Sequence, residues 1–233
     1  MKRLFKTFAE KWPEYLLEIL VITLGILGAY ILNNWNEGRK SRIATKEALV
    51  NVLEDLRADS IQFQFHYNNS DRLAINLNKT IDILLNEGSN DSLEYYFNRS
   101  KGYVIAVVQN SAFQSMNQRG LVPNITDEEL RYKLMRYYDY VQPNVIEFRV
   151  FELTRLESTI RMIDTDEAID MERTSINDLQ LNYQKVRQIL MQPKNLKKLY
   201  QYRETQEFLV GKAERYVQAN TELIQQLNNY LSK

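Results

Sequence analysis

The sequence predicts an all-α protein in which one N-terminal transmembrane helix is followed by a bundle of about five to seven helices. Glycine and proline, which form turns and interrupt helices, number only 7 and 4 among 233 residues. Apolar residues recur at steps of three and four along most of the chain, which is the spacing of amphipathic helices. One stretch near the N-terminus is apolar enough to enter a bilayer.

The composition limits the chemistry that the chain can perform. It has 30 basic and 30 acidic residues, so it lacks the basic excess of a general nucleic-acid binder. There is no cysteine, which excludes disulfides, thiolate metal sites and cysteine nucleophiles. The single histidine, His66, has no neighbouring ligand or catalytic partner in the sequence and is predicted to be a surface or partly packed residue.

The apolar stretch lies within Glu18–Glu37, EILVITLGILGAYILNNWNE. A helix over residues 15–35 would be about 31 Å long, close to the thickness of a hydrocarbon core. Trp12, Tyr15 and Trp35 flank it and are predicted to anchor it at the two membrane interfaces. The sequence therefore divides into a short flank (residues 1–14), a transmembrane helix (15–35) and a helical domain (36–233), with the lipid bilayer as the first partner.

Two other interpretations of this stretch are weaker. The basic residues Lys2, Arg3 and Lys6 resemble the start of a signal peptide, but no small-residue cleavage site follows. A buried helix of a soluble protein would need a polar face, which this stretch lacks. Each flank carries four basic residues, so charge does not decide orientation; the short N-terminal flank favours a cytoplasmic N-terminus and an extracytoplasmic domain.

Glu18 is a carboxylate near the start of this span, and it has two interpretations. It can extend toward the lipid headgroups, or it can hydrogen-bond across a helix pair. Spacing supports the second interpretation, because a single helical stripe carries Glu18, Ile22, Gly25 and Ala29. Gly25 and Ala29 form a small-xxx-small pair, which permits close helix approach. We therefore predict a membrane helix–helix contact on this stripe, with a second copy or another membrane protein.

The remaining chain is predicted to be helical with few interruptions. An amphipathic helix from Ser41 continues the anchor across Gly38, and a second apolar pattern follows and ends at Gly88. Residues 102–109, GYVIAVVQ, are compatible with either a strand or a helix. Gly120 and Pro123 mark a loop, after which Thr126 and Glu129 match a capping box.

Three further helices are expected toward the C-terminus. One follows Pro143 and reaches Ile160, and another starts after Thr165 with acidic residues in its first turn and ends at Pro193. The last runs from about Thr205 to the end and packs on the chain's own bundle or on a second copy. Its stripe at steps of four and three is Leu209, Ala213, Tyr216, Asn220, Leu223, Leu227 and Tyr230.

Two blocks of sequence resemble a family of uncharacterised single-pass membrane proteins of Gram-negative bacteria, a domain of unknown function. The anchor block is an E-I…G-I…N-N-W-N-E pattern: Glu18, Ile19, Gly25, Ile26, Asn33, Asn34, Trp35, Asn36 and Glu37. The middle block is Asn110, Ala112, Phe113, Glu129, Leu130, Arg131, Tyr137 and Tyr138. This resemblance implies a helical domain held at the bacterial inner membrane, and it implies no activity.

No phosphate-binding loop, dinucleotide fingerprint, zinc motif or serine-nucleophile motif is present. The sequence therefore predicts neither an enzyme nor a cofactor or metal site, and the acidic run from Asp164 to Glu172 lacks the spacing of a calcium loop. We expect a membrane-anchored scaffold or accessory subunit that acts through protein contacts. A ligand-sensing bundle that signals through a partner is the alternative, and an enzyme that uses carboxylates and tyrosines is a third.

Overall fold

The computed structural model describes residues 2–102, 107–159, 163–165, 168 and 181–232. It confirms the all-α class and the long N-terminal helix. The elements are α1 (Lys2–Leu85), α2 (Asn90–Ser100), α3 (Ser111–Gln118), a 3-10 turn (Val122–Asn124), α4 (Glu128–Arg136), a π-helical turn (Tyr137–Val141), α5 (Gln142–Ser158), α6 (Tyr183–Leu190) and α7 (Pro193–Leu231).

Helix α1 is 84 residues long, which corresponds to about 126 Å. It confirms that the anchor continues into the domain across Gly38, and it also includes the second predicted amphipathic stretch. The predicted domain boundary at residue 36 is therefore not a break in the backbone. Helix α1 ends at Leu85, and the Gly88 amide then donates to the Ile83 carbonyl at 3.0 Å. The left-handed position that glycine usually takes after a helix is occupied here by Glu87, with φ at +53°.

Helix α7 packs antiparallel along α1. The Asn220 side-chain amide donates to the Leu56 carbonyl at 3.0 Å, and the Asn78 side-chain amide donates to Glu207 Oε1 at 3.3 Å. The rings of Phe63 and Tyr216 lie between these points, with centroids 5.9 Å apart. The predicted stripe on α7 thus faces the chain's own bundle, because Leu209, Ala213, Asn220, Leu223 and Leu227 are all buried.

Two apolar cores line the domain part of α1. The anchor-side core joins α1 to α3, α4, the π-helical turn and the C-terminal half of α7, with Leu49, Val52, Leu56, Leu134 and Leu227 among its buried residues. The distal core joins the end of α1 to α2, α6 and the start of α7, with Leu77, Leu84, Phe97, Val186 and Tyr202 among its buried residues. Both cores are buried against one continuous helix.

Several predicted boundaries are wrong in detail. Asp127, not Thr126, caps α4, because its side chain accepts from the Leu130 amide at 2.9 Å. The helix predicted to end at Pro193 ends close by, at Leu190, but Pro193 also begins α7, twelve residues before the predicted start at Thr205. Proline is favoured at the first helical position, where no amide donor is required. Gly120 confirms the predicted loop, with φ at +65°.

Other predictions fall on parts that the structure leaves undescribed. Of residues 102–109, positions 103–106 lie outside the described residues, while residue 102 and residues 107–109 belong to no helix or strand. Ile160 and most of the acidic run, including Asp166, Glu167, Asp170 and Glu172, also lie outside them. The strand-or-helix question and the predicted helix start after Thr165 therefore stay open predictions.

The packing of α7 on α1 predicts a mutational asymmetry. Leu227 is fully buried in the anchor-side core, whereas Ile61 is 70% exposed on α1. We expect Leu227→Ala to lower the free energy of unfolding by about 2–5 kcal/mol, and Ile61→Ala to change it by less than about 0.5 kcal/mol. Denaturant titration of the detergent-solubilised chain, followed by helical circular dichroism, measures both. Similar losses for the two variants would contradict the packing.

Candidate functional site

A buried carboxylate on α1 is the centre of a polar network. Asp59 is fully buried, and its Oδ1 accepts the Gln109 backbone amide at 2.7 Å. Its Oδ2 accepts the Tyr137 hydroxyl at 2.8 Å and the Gln142 side-chain amide at 3.0 Å. The Tyr137 hydroxyl in turn accepts from the Asn220 side chain at 3.1 Å. One carboxylate therefore ties α1 to the segment before α3, to the π-helical turn, to α5 and, through Tyr137, to α7.

Desolvation and hydrogen bonding act in opposite directions on Asp59. Burial is the larger effect and raises the pKa of its carboxyl group, while the hydrogen bonds from Gln109, Tyr137 and Gln142 lower it. The pKa of Tyr137 is raised, first by burial and then by the neighbouring Asp59 carboxylate. Tyr137 is thus held as a neutral hydroxyl that donates to Asp59.

The adjacent turn of α1 contacts the middle block of the predicted family resemblance. Asp55, one turn before Asp59, accepts the Ala112 backbone amide at 3.0 Å and so satisfies a free donor at the start of α3. Phe113 on α3 stacks on Tyr138 of the π-helical turn, with centroids 4.2 Å apart and planes 4° apart. Two parts of the middle block that are distant in sequence therefore meet beside Asp55 and Asp59. Sequence analysis did not identify either aspartate as a site residue.

A groove runs between the π-helical turn and α7, next to this network. Its cavity volume is about 480 Å³. Four helical segments supply the lining. α4, the π-helical turn and α5 form one side with Lys133, Arg136, Tyr137, Tyr140, Val141 and Asn144, and α7 forms the other with Lys212, Arg215, Tyr216, Gln218, Ala219, Glu222 and Leu223. Tyr137 belongs to both the groove wall and the Asp59 network, so the two are physically continuous.

The groove is electropositive. Four basic side chains line it against one carboxylate, Glu222, which accepts the Gln218 side-chain amide at 2.9 Å. Lys133 is paired with Glu129 at 2.8 Å, and the Lys212 ammonium lies 4.9 Å from the Phe148 ring centroid. Neither Arg136 nor Arg215 has an ion pair or a side-chain hydrogen bond within the part of the chain that the structure describes.

Buried polar groups line the space beneath the groove. The Tyr216 hydroxyl is shielded from solvent and has no hydrogen-bond partner, and burial is the main cause that raises its pKa. Tyr216 also lines a small enclosed cavity of about 10 Å³, together with His66. His66 is largely buried, as predicted for a partly packed residue, and its Nε2 lies 3.6 Å from Oε2 of the buried Glu152.

An exposed apolar surface lies on the outer side of the same segments. Its members are exposed side chains, three residues apart on α4 and three or four residues apart on α5: Tyr132, Met135, Pro143, Ile146 and Val150. Ile146 and Val150 are 53% and 61% exposed, so no part of the described bundle covers them. We call this set the α4–α5 surface.

The predicted membrane residues all lie on α1, away from the groove. Glu18, Ile22, Gly25 and Ala29 are on one stripe of the apolar segment and are exposed. A side chain added at Gly25 would meet nothing within 4 Å. Trp12, Tyr15 and Trp35 are also exposed. The geometry is compatible with the predicted helix–helix contact and interface anchors, which stay predictions.

Comparisons with known proteins identify no relative: no family description, curated protein or solved structure matches the chain. The resemblance to a bacterial membrane family therefore stays a prediction. Within the described residues, no group of three or more histidine and carboxylate side chains is placed to hold a metal ion.

The raised pKa of Asp59 predicts a pH dependence of stability. Because the folded chain holds this proton more tightly than the unfolded chain, the stabilisation from protonation is complete below the unfolded pKa of about 3.9 and is lost as pH rises through the folded pKa. Unfolding titrations of the parent chain and of Asp59→Asn between pH 4 and pH 8 test this. We expect the parent's stability relative to the variant to decrease as pH rises; a constant or increasing difference would contradict the assignment.

Proposed function

We propose that this chain is a single-pass protein of the bacterial inner membrane that acts as a scaffold or accessory subunit through protein contacts. The observation that carries this proposal is the α4–α5 surface. Monomeric soluble proteins rarely expose contiguous apolar patches without a use for them. Exposed tyrosine, methionine and aliphatic side chains are also usual elements of a docking surface.

The membrane assignment is supported by α1. It is the one helix of the described residues with the length and composition to span a bilayer, with a mean hydropathy of 2.2 over its most apolar 18-residue window and none of that window buried. Just beyond the apolar segment, and still on α1, a cleft of about 380 Å³ is lined by Trp35, Arg39, Arg42, Ile43 and Lys46. Cations beside an interfacial tryptophan are suited to phosphate headgroups.

A ligand-sensing bundle that signals through a partner is the second candidate function. It is supported by the electropositive groove and its direct contact with the Asp59 network on α1. An event in the groove would reach, through one tyrosine hydroxyl, the helix that continues into the membrane. The domain is placed outside the cytoplasm in both proposals.

Membrane anchoring can be tested by fractionation. We expect the full chain to remain in the membrane pellet after alkaline carbonate washing and to retain its N-terminus, because no cleavage site follows the apolar segment. A variant that lacks residues 1–36 should move to the soluble fraction. Release of the full chain, or a mature chain that starts after Ala29, would contradict the proposal.

Site-specific photo-crosslinking tests the protein-contact function. A photo-reactive residue at Ile146 or Val150 should give discrete adducts in membranes, and Val150→Glu should abolish the adduct formed from position 146. The matched control is Ile61, which is apolar and more exposed than either position but lies on α1. Adducts of equal yield from all three positions, or none from Ile146 and Val150, would contradict a role for the α4–α5 surface.

A further inference from the structure

We propose that the groove between the π-helical turn and α7 binds a small organic anion, with its carboxylate or phosphate group held by Arg136 and Arg215. The assignment rests on the second candidate function, for which it supplies a ligand class, and it is independent of the α4–α5 surface.

The charges of the groove are the first argument. The whole chain has equal numbers of basic and acidic residues, yet four basic side chains and one carboxylate line this groove. Guanidinium groups are rigid forks that match the geometry of carboxylates and phosphates. Arg136 and Arg215 are the two guanidinium groups of the groove. Because no protein carboxylate pairs with them in the described structure, they are available to an incoming anion.

The size and chemistry of the walls point to an organic ligand rather than a bare inorganic ion. A volume of about 480 Å³ is within the usual range for small-molecule sites. Tyr137, Tyr140 and Tyr216 supply aromatic surface, and Asn144 and Gln218 supply amides that can bind neutral polar groups of a ligand.

The position of the groove excludes a lipid headgroup as the anion. The groove is bounded by Tyr137 and Tyr216, which contact α1 at Asp59 and Phe63. Asp59 lies 24 residues beyond Trp35 on a continuous helix, which is about 36 Å along the helix axis. A headgroup phosphate at the level of Trp35 cannot reach that far, so the ligand must come from solution.

The floor of the groove gives binding a route to the membrane helix. Tyr137 lines the groove and donates to Asp59 on α1 at 2.8 Å, and its hydroxyl accepts from the buried Asn220 side chain of α7 at 3.1 Å. A ligand that shifts the π-helical turn therefore acts directly on the buried hydrogen bond from Tyr137 to Asp59. Such a bond has two discrete states, which is the requirement for coupling between sites.

The test uses the full chain, purified in mild detergent, with three probes: phenyl phosphate, benzoate and inorganic phosphate. Calorimetric titration and thermal unfolding are measured for the parent, for Arg136→Gln, Arg215→Gln and the double variant, and for Arg119→Gln. Arg119 is an exposed arginine outside the groove and is the matched control.

We expect at least one aromatic anion to bind the parent and raise its unfolding temperature. Each groove substitution should weaken that binding by about tenfold or more, while Arg119→Gln leaves it unchanged. Comparing the affinities of phenyl phosphate and benzoate identifies the preferred oxyanion, and a preference for either one supports the proposal. Three results would overturn the proposal. The first is that neither aromatic probe binds at concentrations of about 10 mM, roughly the weakest useful affinity. The others are binding that survives the double variant, and inorganic phosphate that binds as tightly as phenyl phosphate. Because these measurements use the isolated chain, their failure leaves the crosslinking result for the α4–α5 surface unaffected.

Discussion

The domain depends on a single uninterrupted helix. α1 carries the apolar segment, the anchor-side core and the distal core on one backbone, and α7 packs antiparallel against its domain part. Because a helix of this length gains most of its stability from tertiary packing, the region beyond the apolar segment is held by α7 and by the shorter helices around it. A displacement at the anchor-side core is therefore a displacement of the helix that continues into the apolar segment.

Asp59 adds specificity to that packing. A buried carboxylate is costly unless its oxygens are satisfied, and here three donors from three different segments satisfy them. Hydrophobic contacts between α1, α5 and α7 tolerate small sliding movements, whereas hydrogen bonds to one carboxylate do not. The network thus determines the register of the π-helical turn against α1, and with it the shape of the groove.

The two candidate surfaces belong to the same structural unit. Side chains of α4, the π-helical turn and α5 form the groove with α7, and other exposed side chains of α4 and α5 make up the α4–α5 surface. π-helical turns are rare and are frequently found at functional sites, because the extra residue changes where the following side chains point. A ligand in the groove and a partner on the α4–α5 surface would therefore act on the same short segment, which makes the protein-contact and ligand-sensing functions compatible.

The helices themselves were predictable from local pattern. Scarce glycine and proline, steps of three and four, and the apolar segment near the N-terminus together determined the all-α class, the continuation of the anchor into the domain and the inward stripe on α7. Helix ends were less predictable. Thr126 and Asp127 are adjacent residues that can both cap α4, and Pro193 can either follow one helix or begin the next. Choosing between such neighbours requires the backbone geometry.

Only the tertiary structure decided where the site lies. The partners of Asp59 are 50, 78 and 83 residues away along the chain, and Asn220 reaches Leu56 across 164 residues. No local spacing connects these positions, because helical periodicity relates only residues within a few turns of one another. The sequence by itself determined which faces of the helices are apolar; the packing of α7 and the π-helical turn against α1 decided which polar side chains are enclosed together, since burial of a carboxylate depends on all the donors that the whole fold brings to it.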